Sequence, residues 1–225
     1  MTAAVVAAGR LRPGDQVIEL GCGDGRLSLA LAEQGAAVLA IDVGHAALAA
    51  LLQVARERML PGFSVLAAPI EDLTLPERSA DLVVSCYALH RLRDAVKARL
   101  VAAAYRWLRP GGMLLVADMM FGRGGTSRDR AIIRSKVRSL ARKGIGGWWR
   151  IAKNGYRYLI RAKEHPIPIT GWTAILARAG FTAITASSIV NEAGLVTGRR
   201  PEDPAPPEDP APPGEPTPPG EPAPA

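Results

Sequence analysis

The sequence predicts an α/β protein built on a doubly wound, seven-stranded sheet, mostly parallel, and three observations predict it. Apolar stretches of strand length alternate with helical stretches of about 10–15 residues, the spacing of parallel βαβ units. Three glycines within five residues, Gly21, Gly23 and Gly25, follow the first apolar stretch and open a helical one. The last two apolar stretches are separated only by a short turn, which makes them an antiparallel hairpin at the sheet edge. The composition agrees: of 225 residues 48% are hydrophobic but only 5% aromatic, so the core must be assembled from Ala, Val, Leu and Ile. That suits packed layers better than a small stapled fold.

The elements follow in order. Residues 16–21 (QVIELG) are an apolar strand entering the glycine turn, and 26–34 are a helix stopped by Gly35. Residues 37–43 (AVLAIDV) are the second strand. The helix over 46–59 carries Leu48, Leu51, Leu52 and Ala55 on one face and is halted by Pro61 and Gly62. A short strand covers 63–67. The unbroken apolar run of 81–86 (DLVVSC) marks a strand covered on both faces. A helix over 94–108 is expected to stop at Arg109-Pro110-Gly111-Gly112, ahead of a fifth strand over 113–118 (MLLVAD). A helix over 171–179 closes at Gly180, and strands over 181–190 and 195–199 finish the sheet.

Charge is unevenly placed. Residues 201–225 hold six acids and no Lys or Arg, which leaves the rest of the chain at +13 within a total of +7. Thirteen Lys or Arg and a single acid, Asp129, fall between Arg123 and Lys163. A field this lopsided concerns partners more than fold. The end of the chain is a degenerate Pro-rich repeat without large apolar residues, expected to be an extended, disordered acidic tail over 201–225. Residues 1–200 are then one domain, with the basic stretch as a helical insert at 123–168. Two distant cysteines, Cys22 and Cys86, suggest neither a disulfide framework nor a metal site. The first ten residues lack a basic segment ahead of an apolar run, so the expectation is a soluble, cytoplasmic protein.

The glycine turn carries the strongest chemical signal. Gly21 and Gly23 let a ligand approach the backbone, and the following helix offers free N–H groups and the positive end of its dipole. Dinucleotide sites want G-x-G-x-x-G; here Arg26 stands where the third glycine would be. Asp42 ends the second strand about twenty residues on, where a carboxylate can accept hydrogen bonds from ribose hydroxyls. Capping the next helix is its simpler role.

In series, VIELGCGDG, VLAIDV, ADLVVSCYALHRLRD and AYRWLRPGGMLLVAD resemble the motifs of class I S-adenosylmethionine-dependent methyltransferases, nearest the small-molecule branch often called type 11. The resemblance covers residues 9–200 except most of the basic stretch, and implies a Rossmann-like fold with S-adenosyl-L-methionine as cofactor. It further implies that Gly21, Cys22 and Gly23 line the methionine end, with Glu19 near the amino group. Asp42 would take the ribose diol, Val43 would pack on adenine, and Ile70 and Glu71 (or Asp72) would meet its edge. Cys86 and Tyr87 would face the sulfonium and the acceptor. The chain departs from the family at Pro69, where an acid is common, so the adenine loop must bind differently.

His90, just past the fourth strand, is the candidate base: an unperturbed imidazole pKa of about 6.5 suits proton transfer near neutrality. It is equally a residue that starts a helix. Tyr87 could position the acceptor or simply pack, and His165 could close the acceptor pocket or pack ahead of a helix. His45 only begins a helix. The insert should form two helices over 128–163, broken at Gly144, Gly146 and Gly147, as a lid with an apolar inner face. Its charge allows a solvated face, an anionic membrane surface with the protein peripheral to it, or RNA, the last ranked lowest for want of an RNA-binding motif. The expected function is methyl transfer to a small, preferably lipophilic, acceptor. The alternatives are an RNA methyltransferase and a catalytically silent, cofactor-binding partner subunit. Acceptor identity and oligomeric state are not legible.

Overall fold

The structure is a computed structural model, and it describes residues 1–121, 130, 134, 138, 165–190 and 192–203. The elements are α1 (Thr2–Gly9), β1 (Gln16–Leu20), α2 (Arg26–Ala32), β2 (Ala37–Asp42), α3 (His45–Glu57), β3 (Ser64–Ala67), β4 (Ala80–Cys86), α4 (Asp94–Trp107), β5 (Leu108–Met119), α5 (Ile169–Arg178), β6 (Thr182–Val190) and β7 (Ala193–Arg199). Short 3-10 turns at Ile70–Asp72 and Leu89–Arg91 follow β3 and precede α4. The strands form one sheet in the order β3-β2-β1-β4-β5-β7-β6. The first five are parallel, and β7 runs antiparallel to both β5 and β6. The expected doubly wound sheet and its terminal hairpin are both present.

Strand alternation divides the core in two. Ile18, Leu20, Val83, Leu114 and Val116 face one side, against Leu100, Val101, Ala104 and Trp107 of α4 and Trp172 and Leu176 of α5. Val17, Leu82, Val84 and Leu115 face the other, against Leu27 and Leu31 of α2 and Leu48 and Leu51 of α3. The expected apolar face of α3 is largely the buried one: Leu48, Leu51 and Ala55 are covered, while Leu52 is half-buried. The second side also takes Val5 of α1, a helix with almost no amphipathic signal that the sequence analysis passes over.

The fifth strand corrects an expected boundary. It begins at Leu108, which pairs with Ala80, and the ladder slips before Leu82 meets Met113. The Arg109–Gly112 segment makes this excursion inside the strand because the chain end supports it: Gly111 N–H donates to the Arg200 carbonyl at 3.0 Å and Arg200 N–H to the Gly112 carbonyl at 2.8 Å. The Arg200 guanidinium donates to the carbonyls of Tyr105 and Leu108, at 3.0 and 2.7 Å, where α4 ends. Just beyond, Asp203 pairs with Arg78 at 2.6 Å, so residues 201–203 still lie against the domain. Of the expected lid helices, only Arg130, Arg134 and Arg138 are described, all helical and exposed. The rest of that insert and residues 204–225 lie outside the described residues.

The order of strands reverses at β1 and β4, which places the ligand crevice of such a sheet at their carboxyl ends. There Gly21, at φ 75°, takes a backbone conformation that a side chain resists, and an added Cβ would stand 2.4 Å from the Cβ of Ala88. Gly21→Ala combines left-handed strain with a backbone-level clash. It should destabilise the fold by about 2–4 kcal/mol, read as a lowered urea midpoint with an unchanged m-value.

Candidate active site

Four strand ends build the site. From β1 the chain turns through Gly21, Cys22 and Gly23, and the N–H groups of Gly21 and Cys22 both donate to the Ile41 carbonyl of β2, at 2.8 and 3.0 Å. From β2, Asp42 reaches back: its Oδ2 accepts the Gly23 N–H at 2.9 Å, and its Oδ1 accepts those of Val43 at 2.7 Å and Gly44 at 3.1 Å. Asp42 thus ties the glycine turn to the loop that starts α3, which exceeds the plain capping role. A carboxylate has about four acceptor directions. With three used, one remains for a ribose hydroxyl.

Beneath the turn lies Glu19, 1% exposed, its Oε2 accepting the Ser28 hydroxyl of α2. Burial pushes its carboxyl up to about 7, against the lowering effect of the Ser28 bond. Glu19 therefore supports the turn from inside. Cys22 and Cys86 flank it, and burial pushes their thiols up to about 12 and about 11. Both stay protonated near neutrality, small soft walls without nucleophilic character. Val43 is 63% exposed beside Asp42, a free apolar surface for a flat ring. The adenine-loop candidates Ile70 and Glu71 sit in the 3-10 turn after β3, which is joined to β2 by Ala68 N–H on the Asp42 carbonyl at 3.0 Å. Pro69 precedes that turn in extended geometry.

The other half of the site comes from β4 and β5. Tyr87 has φ 55°, rare for a bulky residue, and its N–H is held by the Ala117 carbonyl at 2.9 Å. Its phenol is raised above the usual range, first by burial and then by Glu192 and Asp118. His90 lies in the following 3-10 turn, 7% exposed, and its ring meets that of Tyr87 edge-on at 6.3 Å. Asp118, at the end of β5 and 1% exposed, grips His90 twice: Oδ2 accepts its backbone N–H at 2.8 Å and Oδ1 lies 2.7 Å from Nδ1. Facing a carboxylate, an acceptor, Nδ1 is the donor of this pair and Nε2 is the nitrogen left to accept.

Asp118 is the residue the sequence reading missed. Its signal was present: an acid ending an otherwise apolar strand, as Asp42 ends β2. His165 is near the same turn but through its backbone, its N–H donating to the His90 carbonyl at 2.5 Å. His45 is the exposed first residue of α3. Among the described residues, no three His, Cys, Asp or Glu side chains are grouped to hold a metal ion, and no helix is long and apolar enough to cross a membrane.

Known proteins resemble this chain in sequence and in fold. Residues 17–112 match the family model described as a methyltransferase domain. An uncharacterized methyltransferase of Synechocystis is 32% identical over 110 residues, 48% of this chain and 49% of that protein. The malonyl-[acyl-carrier protein] O-methyltransferase of Serratia marcescens is 31% identical over 118 residues, 52% of this chain and 44% of its own. The chain thus spans about half the length of the curated relatives it matches. A Haemonchus contortus phosphoethanolamine N-methyltransferase 2, solved with phosphomonomethylethanolamine and S-adenosylhomocysteine, superposes with a TM-score of 0.68 at 14% identity, over 89% of this chain and 52% of that one.

The chain is thus similar over residues 17–112 to a methyltransferase domain, and it shares the fold of a protein described as an S-adenosylmethionine-dependent methyltransferase. Its residues fit that cofactor: a Cβ added at Gly23 would meet nothing within 4 Å, so the turn is open where a ligand would lie, with Asp42 and exposed Val43 beside it.

Two predictions follow from this half of the site. Asp42→Ala should weaken S-adenosylmethionine binding by about 1–3 kcal/mol, roughly 5- to 150-fold, in calorimetry. Glu19 holds its proton more tightly folded than unfolded, so its contribution to stability is full below about pH 4.5 and is lost as pH rises through about 7. That loss is on the order of 3 kcal/mol. Glu19→Gln should remove it, flattening the difference between urea midpoints at about pH 5 and about pH 8.

Proposed function

We propose that the protein transfers the methyl group of S-adenosyl-L-methionine to a small molecule whose accepting atom must first lose a proton, a hydroxyl or an acidic carbon. The observation that carries this reading is the His90–Asp118 pair, closed at 2.7 Å on the sheet edge that also holds the glycine turn and Asp42. An acceptor amine free of its proton would need no such base. An oxygen acceptor has a precedent in the relative named as a malonyl-[acyl-carrier protein] O-methyltransferase.

The cofactor, once bound, supplies a methyl group on a sulfonium, a good leaving group. The chain's own task is alignment and deprotonation. Gly21, Cys22 and Gly23 let the methionine end lie on the backbone, and Asp42 orients the ribose. Val43 offers the adenine an apolar face, and Ile70 and Glu71 border it. Nε2 of His90 removes the acceptor's proton while Asp118 keeps the other nitrogen protonated and stabilises the imidazolium that results. S-adenosylmethionine, when bound, would supply the methyl group to the acceptor oxygen or carbon, and the proton that this atom gives up would leave by way of His90. Cys86 and Tyr87 wall the space between. Positioning of this kind can supply about 7–11 kcal/mol in favourable model systems.

The acceptor is proposed to be lipophilic, with the protein peripheral to an anionic membrane. Support comes from the Trp- and Tyr-bearing basic stretch and from Arg130, Arg134 and Arg138, exposed at helical spacing. RNA is the second acceptor such a row of arginines could serve.

One experiment addresses base and acceptor together: radiolabelled S-adenosylmethionine is incubated with cell extract, and the products are partitioned. Label in the organic phase is the expected result; label confined to acid-precipitable RNA would replace the lipophilic acceptor. In either fraction, His90→Gln should lower incorporation about 10²- to 10⁴-fold, with cofactor affinity unchanged. Full activity in that variant removes His90 from catalysis.

A further inference from the structure

The most deeply buried charge in the described protein lies outside the cofactor site. Lys97, on α4, is 0% exposed. A buried ammonium is costly unless its donors are used. Its Nζ donates to the backbone carbonyl of His165 and to Asp94 Oδ1, the latter at 3.1 Å on a side chain about half exposed. Of these two contacts, the one with the His165 carbonyl leads further into the protein: the His165 N–H donates to the His90 carbonyl at 2.5 Å.

Asp118, near the end of β5, holds the ring and the N–H of His90. His165, ahead of α5, holds the His90 carbonyl. Both peptide groups of His90 and its ring are therefore held by residues from two other parts of the chain, and Lys97 anchors the second of them.

We propose that Lys97 is a positioning residue: from within α4 it fixes His165, and His165 fixes the turn that aims the His90 ring. Lys97 touches no reacting atom. The proposal rests on the reading of His90 as the base, and its test observes the ring itself.

The chain has only three histidines, which makes the imidazole ring signals assignable by ¹⁵N labelling, with His90→Gln as the control. In the full-length protein, His90 should show one tautomer with a slowly exchanging proton on Nδ1. Lys97→Met should abolish that protected proton signal or split it between tautomers, while binding of S-adenosylmethionine changes by less than about twofold, since the cofactor turn belongs to β1 and β2. Lys97→Arg, which keeps a cation able to reach the carbonyl, should restore the wild-type signal. If Lys97→Met fails to fold, His165→Pro replaces it: the proline deletes the N–H that holds His90 and should have the same effect on the ring. An unchanged His90 signal in whichever of these two variants is folded overturns the proposal. So does a wild-type ring with its proton on Nε2, which would dissolve the pair with Asp118. The base assignment fails separately, by full turnover in His90→Gln.

Discussion

The close approach of Gly21 to Ala88 is the contact on which the rest of the site depends. It joins the end of β1 to the loop after β4 at the point where strand order reverses. No side chain fits there, so the loop carrying Tyr87 and His90 can lie directly over the glycine turn. Parallel pairing of β1 with both β2 and β4 then sets the two halves in register. One half, from β1 and β2, is a cradle built of backbone and the Asp42 carboxylate. The other, from β4 and β5, carries the groups able to move a proton.

Buried polar groups stabilise this edge, and each is matched to a partner. Glu19 meets Ser28, Asp118 meets His90, Ser85 donates to the Leu20 carbonyl at 2.8 Å, and Lys97 meets His165. In a low-dielectric interior such bonds are strong and their loss is expensive, so they specify one arrangement of the loops. They also separate two kinds of acid at the same edge. Glu19, closed in by α2, takes up a proton near neutrality and is a support. Asp118 grips an imidazole and sets its tautomer. The left-handed Tyr87 belongs with them, because a bulky residue keeps that conformation only where its surroundings impose it.

The opposite edge of the sheet is organised by the chain end. Arg200 closes the last turn of α4 and pairs with the Gly111–Gly112 excursion, and Asp203 reaches Arg78. Residues 201–203 lie against the domain here, at the amino ends of β4 and β5.

By itself the sequence determined the class of fold, the seven strands, the glycine turn and the acid that ends the second strand. These are local signals: alternation and apolar runs report how a segment is covered, and a glycine or an acid at a strand end is visible without knowing its neighbours. The same locality explains why α1 was passed over, since a small apolar helix covered by the sheet has no polar face to betray it. It also explains why β5 seemed to start at Met113, because the distant Arg199 and Arg200 help to keep the preceding residues in the ladder. Tertiary structure alone decided that Asp118 belongs to His90, 28 residues away, and that Lys97 reaches His165, 68 residues away. Such pairs form when separate strand ends and helix faces converge, and the free energy of burying them exists only once that convergence has excluded water.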